Sequence, residues 1–204
     1  MPDKRIYLAS RSPRRRELLR QIGVNFELLP LRQDPRRGID VDETPREGEA
    51  AADYVMRIAR GKAEMAAQVA MQRGLRPHPA LGADTTVVLE GVVIGKPENA
   101  EHAQRILAAL SGREHEVMTA VAVAQRDRIE SALSVSSVIF RELTPVEVQR
   151  YVASGEPSGK AGAYAIQGRA AAFITRIAGS YSGIMGLPLA ETAELLRRFD
   201  IEAV

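Results

Sequence analysis

Cysteine is absent from the 204 residues. That excludes disulfides, thiolate nucleophiles and cysteine-ligated zinc or iron–sulfur sites. Tryptophan is also missing and aromatics make up only 4%, too few for a surface on which single-stranded nucleic acid stacks. Histidine occurs three times, at the scattered positions His78, His102 and His115. A histidine-built metal site or a serine–histidine triad is therefore not expected. No apolar run approaches the ~18 residues of a membrane span, and the apolar stretch in Met-Pro-Asp-Lys-Arg-Ile-Tyr-Leu-Ala-Ser is too short for a signal peptide. A cytoplasmic protein with no membrane and no nucleic-acid partner is the expectation. Its chemistry must come from carboxylates, lysine, arginine, amides and hydroxyls.

What is present is ordinary in bulk and unusual in detail. Hydrophobic residues are 45%, charged residues 26%, and the net charge is only +2, too small for a general polyanion binder. Yet the basic residues are 24 Arg and only 4 Lys. On a solvated surface the two are exchangeable, so a chain this biased retains lysine where a compact point charge is needed and a planar fork does not fit. The survivors are Lys4, Lys62, Lys96 and Lys160. Lys4, near the terminus, reads as chance.

The length suits one large α/β domain or two small lobes. Ile6–Ala9 reads as a buried strand running into a helix capped by Ser12, with Pro13 at its first position and Gly23 beyond its end. Phe26–Leu29 reads as a second strand and residues 31–49 as a long polar loop. From Ala50 to Arg73 the period is helical, with Tyr54, Val55, Ile58, Ala59, Lys62 and Met65 on one face. Leu81–Leu89 and Val92–Ile94 form a hairpin about Glu90-Gly91, and Asn99 caps a helix ending at Ser111-Gly112. Two long strands, Glu116–Gln125 and Ile129–Phe140, precede a helix opened by Thr144-Pro145. Ser158–Ala163 reads as loop, Ala171–Ile177 as strand, Gly179–Gly186 as loop and Pro188–Phe199 as helix. Hairpins do not belong to a purely parallel sheet. The expected fold is α/β: an elongated, two-lobe, mixed and twisted β-sheet flanked by helices, with a central cleft.

Four constellations carry chemistry. Arg14, Arg15 and Arg16 occupy a first helical turn, where acidic residues normally complement the helix dipole. A cluster that opposes its own helix points to an anionic ligand, with Ser10 and Ser12 adding donors. No Walker motif is present. Asp84 lies in an apolar strand and requires a partner; the hairpin brings Lys96 back toward it, as a site or as a structural ion pair. Asp40, Asp42 and Glu43 crowd one loop, either solvated or lending an oxygen to Mg²⁺ or Mn²⁺. Lys160 and Gln167 flank a run of small residues that lets a ligand approach the backbone. The Gln167 amide suits a uracil or thymine edge, or bonds its own loop.

Leu8-Ala9-Ser10-Arg11-Ser12-Pro13-Arg14-Arg15 resembles the opening signature of the Maf family of nucleotide pyrophosphatases. Asp42-Glu43-Thr44, Arg57–Ala63, Gly82-Ala83-Asp84-Thr85, Gly95-Lys96-Pro97, Leu110-Ser111-Gly112, Ala163–Gly168 and Gly186–Leu189 follow in the family's order. Leu31–Gly38 departs from it, being longer and richer in Arg. The resemblance implies a single Maf-type domain over residues 1–204, with a Maf/ITPase-like fold. It implies hydrolysis of nucleoside triphosphates to monophosphate and diphosphate in the cytoplasm, with a divalent cation, Mg²⁺ or Mn²⁺, as cofactor. By the same resemblance Asp84 is the proton acceptor, and Arg14, Thr85 and Gln167 set substrate choice. The form around Gln167 resembles the subgroup acting on dTTP and UTP. The reading that follows assigns Asp84, Lys96, Lys62 and Arg15 to catalysis, and Ser10, Ser12, Arg14, Thr85, Gln167 and Lys160 to substrate. Glu43 and Asp84 are assigned to the metal. Alternatives are a pyrophosphatase for 7-methyl-GTP or another non-standard nucleotide, and a non-enzymatic inhibitor of septum formation. A homodimer is left open.

Overall fold

The computed structural model describes residues 5–32, 38 and 40–204; Lys4 and most of the Arg-rich stretch at 31–38 lie outside them. Strand β1 (Arg5–Leu8) leads directly into α1 (Pro13–Gln21), whose N-cap Ser12 accepts from the Arg15 backbone N–H at 3.4 Å. After β2 (Asn25–Leu28) comes the long helix α2 (Ala51–Gln72), then β3 (Ala80–Leu89) and β4 (Val92–Ile94). Glu90 and Gly91 both take positive φ, 51° and 80°, as a two-residue hairpin turn requires. Asn99 caps α3 (Ala100–Leu110), accepting from His102 N–H at 2.8 Å. The long hairpin β5 (Glu114–Gln125) and β6 (Arg128–Phe140) follows, then α4 (Pro145–Ala153), whose start is a reciprocal Thr144–Glu147 capping box. The chain closes with β7 (Ile174–Ala178), α5 (Tyr181–Met185) and α6 (Leu189–Arg197).

The seven strands make one mixed sheet in the order β2-β1-β3-β5-β6-β7, with β4 on β3. β1 runs parallel to both β2 and β3, and the remaining pairs are antiparallel. Helices flank this sheet, so the mixed α/β architecture is as expected. Three segments differ from the sequence reading, the first being Ala161–Ala163, read as loop and folded as a single 3₁₀ turn. Residues 169–173 form a 3₁₀ turn, and β7 starts only at Ile174, because the Ala171 N–H turns back to Gly168 O instead of joining the sheet. The segment read as loop at 179–186 contains the one-turn helix α5, opened by Ser180 and ended by Gly186 at φ 116°. Five residues are too few to show a period, so only its cap and its stop were visible.

The buried side chains explain the cleft's position. One apolar cluster joins α1 and α6 to β1 and to the halves of β3 and β5 bearing Leu81, Ala83, Val121 and Val123. Another joins α3 and α4 to the opposite halves, at Val87, Leu89 and Val117. Asp84 and Thr85 lie between the two. On the edge of β3 facing β1 and β4, β1 covers only Ala80–Leu81 and β4 only Val87–Leu89. Residues 82–86 have no strand partner there, although β5 pairs the other edge without a break. The chain peels away on both sides of this gap, into the Ser10 loop and toward Lys96. Among the described residues no helix is long and apolar enough to cross a membrane.

Candidate active site

The gap opens into a cleft of about 580 Å³. Its lining includes Ser10, Ser12, Arg14, Arg15, Glu43, Lys62, Asp84, Thr85, Lys96, Lys160 and Gln167. Every residue that the sequence assigns to catalysis, substrate or metal lines this one space, although they come from segments far apart in the chain; Asp40 and Asp42 of the acidic loop do not. Arg16 does not line it. All three described lysines do, as their survival in an Arg-rich chain suggested.

On the floor, α2 crosses β3 at Gly82 so closely that a Cβ there would lie 2.5 Å from both Ala59 O and Ala63 N. This approach carries Lys62, on the helix's apolar face, onto Asp84 two residues along the strand. Lys62 Nζ donates to Asp84 Oδ1 at 2.8 Å and meets Glu43 Oε1 at 2.9 Å. The partner of Asp84 is thus Lys62, where the hairpin had suggested Lys96. Lys96 is exposed on the rim and forms no hydrogen bond among the described residues, and the same holds for Gln167. The Gln167 amide is therefore not bonded to its own loop.

Of the three acids in the 40–43 loop, one reaches the site. Asp40 accepts from Arg32 N–H and Nε at 2.7 and 2.8 Å, and Asp42 caps the Thr44 N–H at 2.9 Å. Glu43 faces Lys62. Burial pushes its pKa up, but the Lys62 charge and hydrogen bond, with Lys96 and Arg15 beyond, outweigh that and leave it below the ordinary value. The loop is clamped from behind: Arg57 donates to Asp42 O and Thr44 O and grips Glu49 with two nitrogens, at 2.6 and 2.7 Å. Tyr54 OH donates to Glu43 O at 3.1 Å. Burial, with the charges of Asp84 and Glu43, pushes the Tyr54 hydroxyl to about 12, so it stays a donor. Tyr54 and Lys62 are eight residues apart on one helix face, a spacing that could have revealed Tyr54; nothing local marks Arg57 as the loop's clamp.

Arg15 spans the other wall. Its Nε donates to Gly186 O at 2.8 Å, one terminal nitrogen to Thr85 Oγ1 at 3.2 Å, and the other to Ser10 Oγ at 3.4 Å. Thr119, fully buried and missed in the sequence, completes the brace: it donates to Gly183 O at 2.8 Å and lies 3.0 Å from Thr85 Oγ1. Arg15 is therefore committed to protein acceptors, whereas the Arg14 guanidinium makes no hydrogen bond among the described residues. Burial lowers the pKa of both guanidiniums. Lys160 is lowered too, by burial and then by Arg14, against the pull of Glu156. Cations crowded this way are costly to hold together and are relieved by an anion. Ser10 and Ser12 accept from backbone and from Arg15, which leaves each hydroxyl proton free to donate.

No group of three or more His, Cys, Asp or Glu side chains among the described residues could hold a metal alone. Mg²⁺ and Mn²⁺ bind through one or two carboxylates with substrate phosphates and water. The Glu43–Asp84 pair matches that donor set.

Fold and cleft define an α/β protein whose cation-ringed hollow, with two carboxylates on its floor, suits a polyanionic ligand. The family model described as Maf-like protein matches residues 5–199, and the chain belongs to that family. It is 59% identical over 196 residues to the dTTP/UTP pyrophosphatase of Aromatoleum aromaticum, covering 96% of this chain and 95% of that one. It is 58% identical over 194 residues to the protein of the same name from Nitrosospira multiformis, covering 95% and 94%. Against the one from Nitrosomonas europaea the identity is 54%, covering 96% and 95%. Among solved structures, the Staphylococcus aureus Ham1 protein overlaps 67% of this chain and 71% of its own at 15% identity, with a TM-score of 0.44, too slight a likeness to bear on the fold.

Proposed function

We propose that this protein hydrolyses dTTP and UTP to the monophosphate and diphosphate. The observation that carries the reading is the Lys62-bridged pair of Glu43 and Asp84 beneath Arg14, Lys96 and Lys160, in the cleft that Gln167 also faces. Names of relatives more than half identical over nearly the whole chain support the same substrates.

In this mechanism the triphosphate lies across the cleft with its charge offset by Arg14, Lys96 and Lys160, and by donors from Ser10 and Ser12. Asp84, oriented through Oδ1 by Lys62, accepts a proton from water through its second oxygen. The water oxygen forms a bond to the α-phosphorus as the bond from that phosphorus to the bridging oxygen breaks. The electron pair leaves with the diphosphate, a stable anion that needs no strong general acid. Glu43 and Asp84 would hold the divalent cation, whose chemistry is to neutralise charge on the phosphates. Gln167 presents a donor and an acceptor to the pyrimidine edge. A base that covers this amide without pairing with it leaves it unsatisfied, which penalises other bases. The setting is the cytoplasm, where such nucleotides are used. Light scattering reads whether a homodimer forms.

The test is a panel of nucleoside triphosphates with Mg²⁺ or Mn²⁺, on wild type, Asp84→Asn and Gln167→Ala. Wild type is expected to favour dTTP and UTP. Asp84→Asn retains the fold and loses about 10²-fold or more in turnover, and Gln167→Ala loses preference among bases. Normal turnover by Asp84→Asn, or wild-type preference for 7-methyl-GTP, overturns the reading. Absence of any turnover by wild type returns the protein to a non-enzymatic role in septum formation.

A further inference from the structure

Base selection by Gln167 requires its loop to keep one shape, and two residues outside the cleft lining hold it. The Glu156 carboxylate accepts from Arg169 N–H at 3.0 Å and Ala170 N–H at 3.4 Å. It also accepts from Tyr151 OH at 2.8 Å, and that hydroxyl in turn accepts from Ala165 N–H at 3.3 Å. Backbone donors on both sides of Gln167 thus end on the same acid–phenol pair. The carboxylate sits so close against Gly168 that a Cβ there would lie 2.4 Å from its oxygen. Tyr151 is only 4% exposed and stacks edge-on to Phe173, so the anchor belongs to the apolar core beside α4. Gln167 itself is exposed and makes no hydrogen bond among the described residues. Its position is set by these backbone contacts.

We infer that Glu156, acting with Tyr151, is a positioning residue that sets base selectivity by fixing the Gln167 loop. The inference rests on the proposed base-reading role of Gln167. It also has an electrostatic rival, because the Glu156 charge favours the cations at Arg14 and Lys160. Loss of charge alone would alter KM for every triphosphate alike. Loss of loop shape alters the ratio between bases.

The experiment measures kcat/KM for UTP and for ATP in wild type, Glu156→Ala, Gln167→Ala and the double variant. Glu156→Ala is expected to lower the UTP-to-ATP ratio about tenfold, the scale of a lost specificity contact. In the Gln167→Ala background the same change is expected to leave the ratio where Gln167→Ala alone puts it, the non-additivity of residues acting through one another. Tyr151→Phe keeps the ring and removes the hydroxyl, and shifts the ratio the same way; it carries the test if Glu156→Ala does not fold. Equal losses for both nucleotides, or a wild-type ratio in Tyr151→Phe and Glu156→Ala while Gln167→Ala shifts it, overturn the inference and leave the base reading intact. A wild-type ratio in Gln167→Ala overturns the base reading itself.

Discussion

Gly82→Ala tests whether the close crossing of α2 over β3 builds the floor of the site. An added methyl carbon would lie 2.5 Å from Ala59 O and Ala63 N and 2.8 Å from Lys62 Cβ, where ordinary contact begins at 3.4 Å. The obstructing atoms are helix backbone and a Cβ, none of them the far end of a flexible side chain. Helix and strand must therefore part by about 1 Å, and overpacking of this kind costs about 1–3 kcal/mol. For a domain of this size each kcal/mol lowers Tm by about 2–4 °C, so the expected fall is about 2–12 °C. The same displacement acts on the Lys62–Asp84 hydrogen bond, now 2.8 Å; lengthened by that amount it ceases to be one. Turnover of UTP is expected to fall about tenfold or more at a temperature where circular dichroism shows the variant fully folded. A variant with the wild-type melting curve and wild-type kcat would refute the argument that this crossing positions the pair.

Two further outcomes follow from the geometry. Arg15→Lys cannot reach Gly186 O, Thr85 and Ser10 together, because an ammonium lacks the span of the guanidinium; urea unfolding should show a loss of about 1–3 kcal/mol, and an unchanged midpoint would dismiss the brace. His115 is 2% exposed, with Nε2 2.9 Å from Tyr164 OH and Nδ1 unpartnered, and burial above all pushes it down to about 4. Its folded pKa is below its unfolded one, so its stabilisation is complete above about pH 6.5 and declines as pH falls toward 4. Between pH 6.5 and 5 wild type should lose about 2 kcal/mol by urea unfolding that His115→Gln does not lose; parallel losses would remove His115 as the cause.

Local signals made much of this molecule legible. Ser12-Pro13, Asn99 and Thr144-Pro145 carry capping chemistry within three or four residues, and each opens a helix as read. Lys62 was visible as a charge on an apolar helical face, and the shortage of lysine pointed to the cleft. Long-range partners were not legible. Arg15 and Gly186 are 171 residues apart, and no spacing rule connects a helix start to a distant glycine carbonyl. The choice among Asp40, Asp42 and Glu43 depended on which carboxylate the Arg57 clamp turns toward α2. The hairpin points Lys96 toward Asp84, but the helix crossing at Gly82 brings Lys62 there first.

Because β1 and β4 each stop short along β3, the walls of the hollow hang from turns and helix ends that contribute no rungs to the sheet at residues 82–86. The acid and its lysine are fixed in a strand and a helix, while Gln167 rides on a short turn. Under the proposed function, such a division lets the rim be rewritten for a different base without disturbing the ladder beneath it, so new substrate preferences can arise while the floor stays as it is.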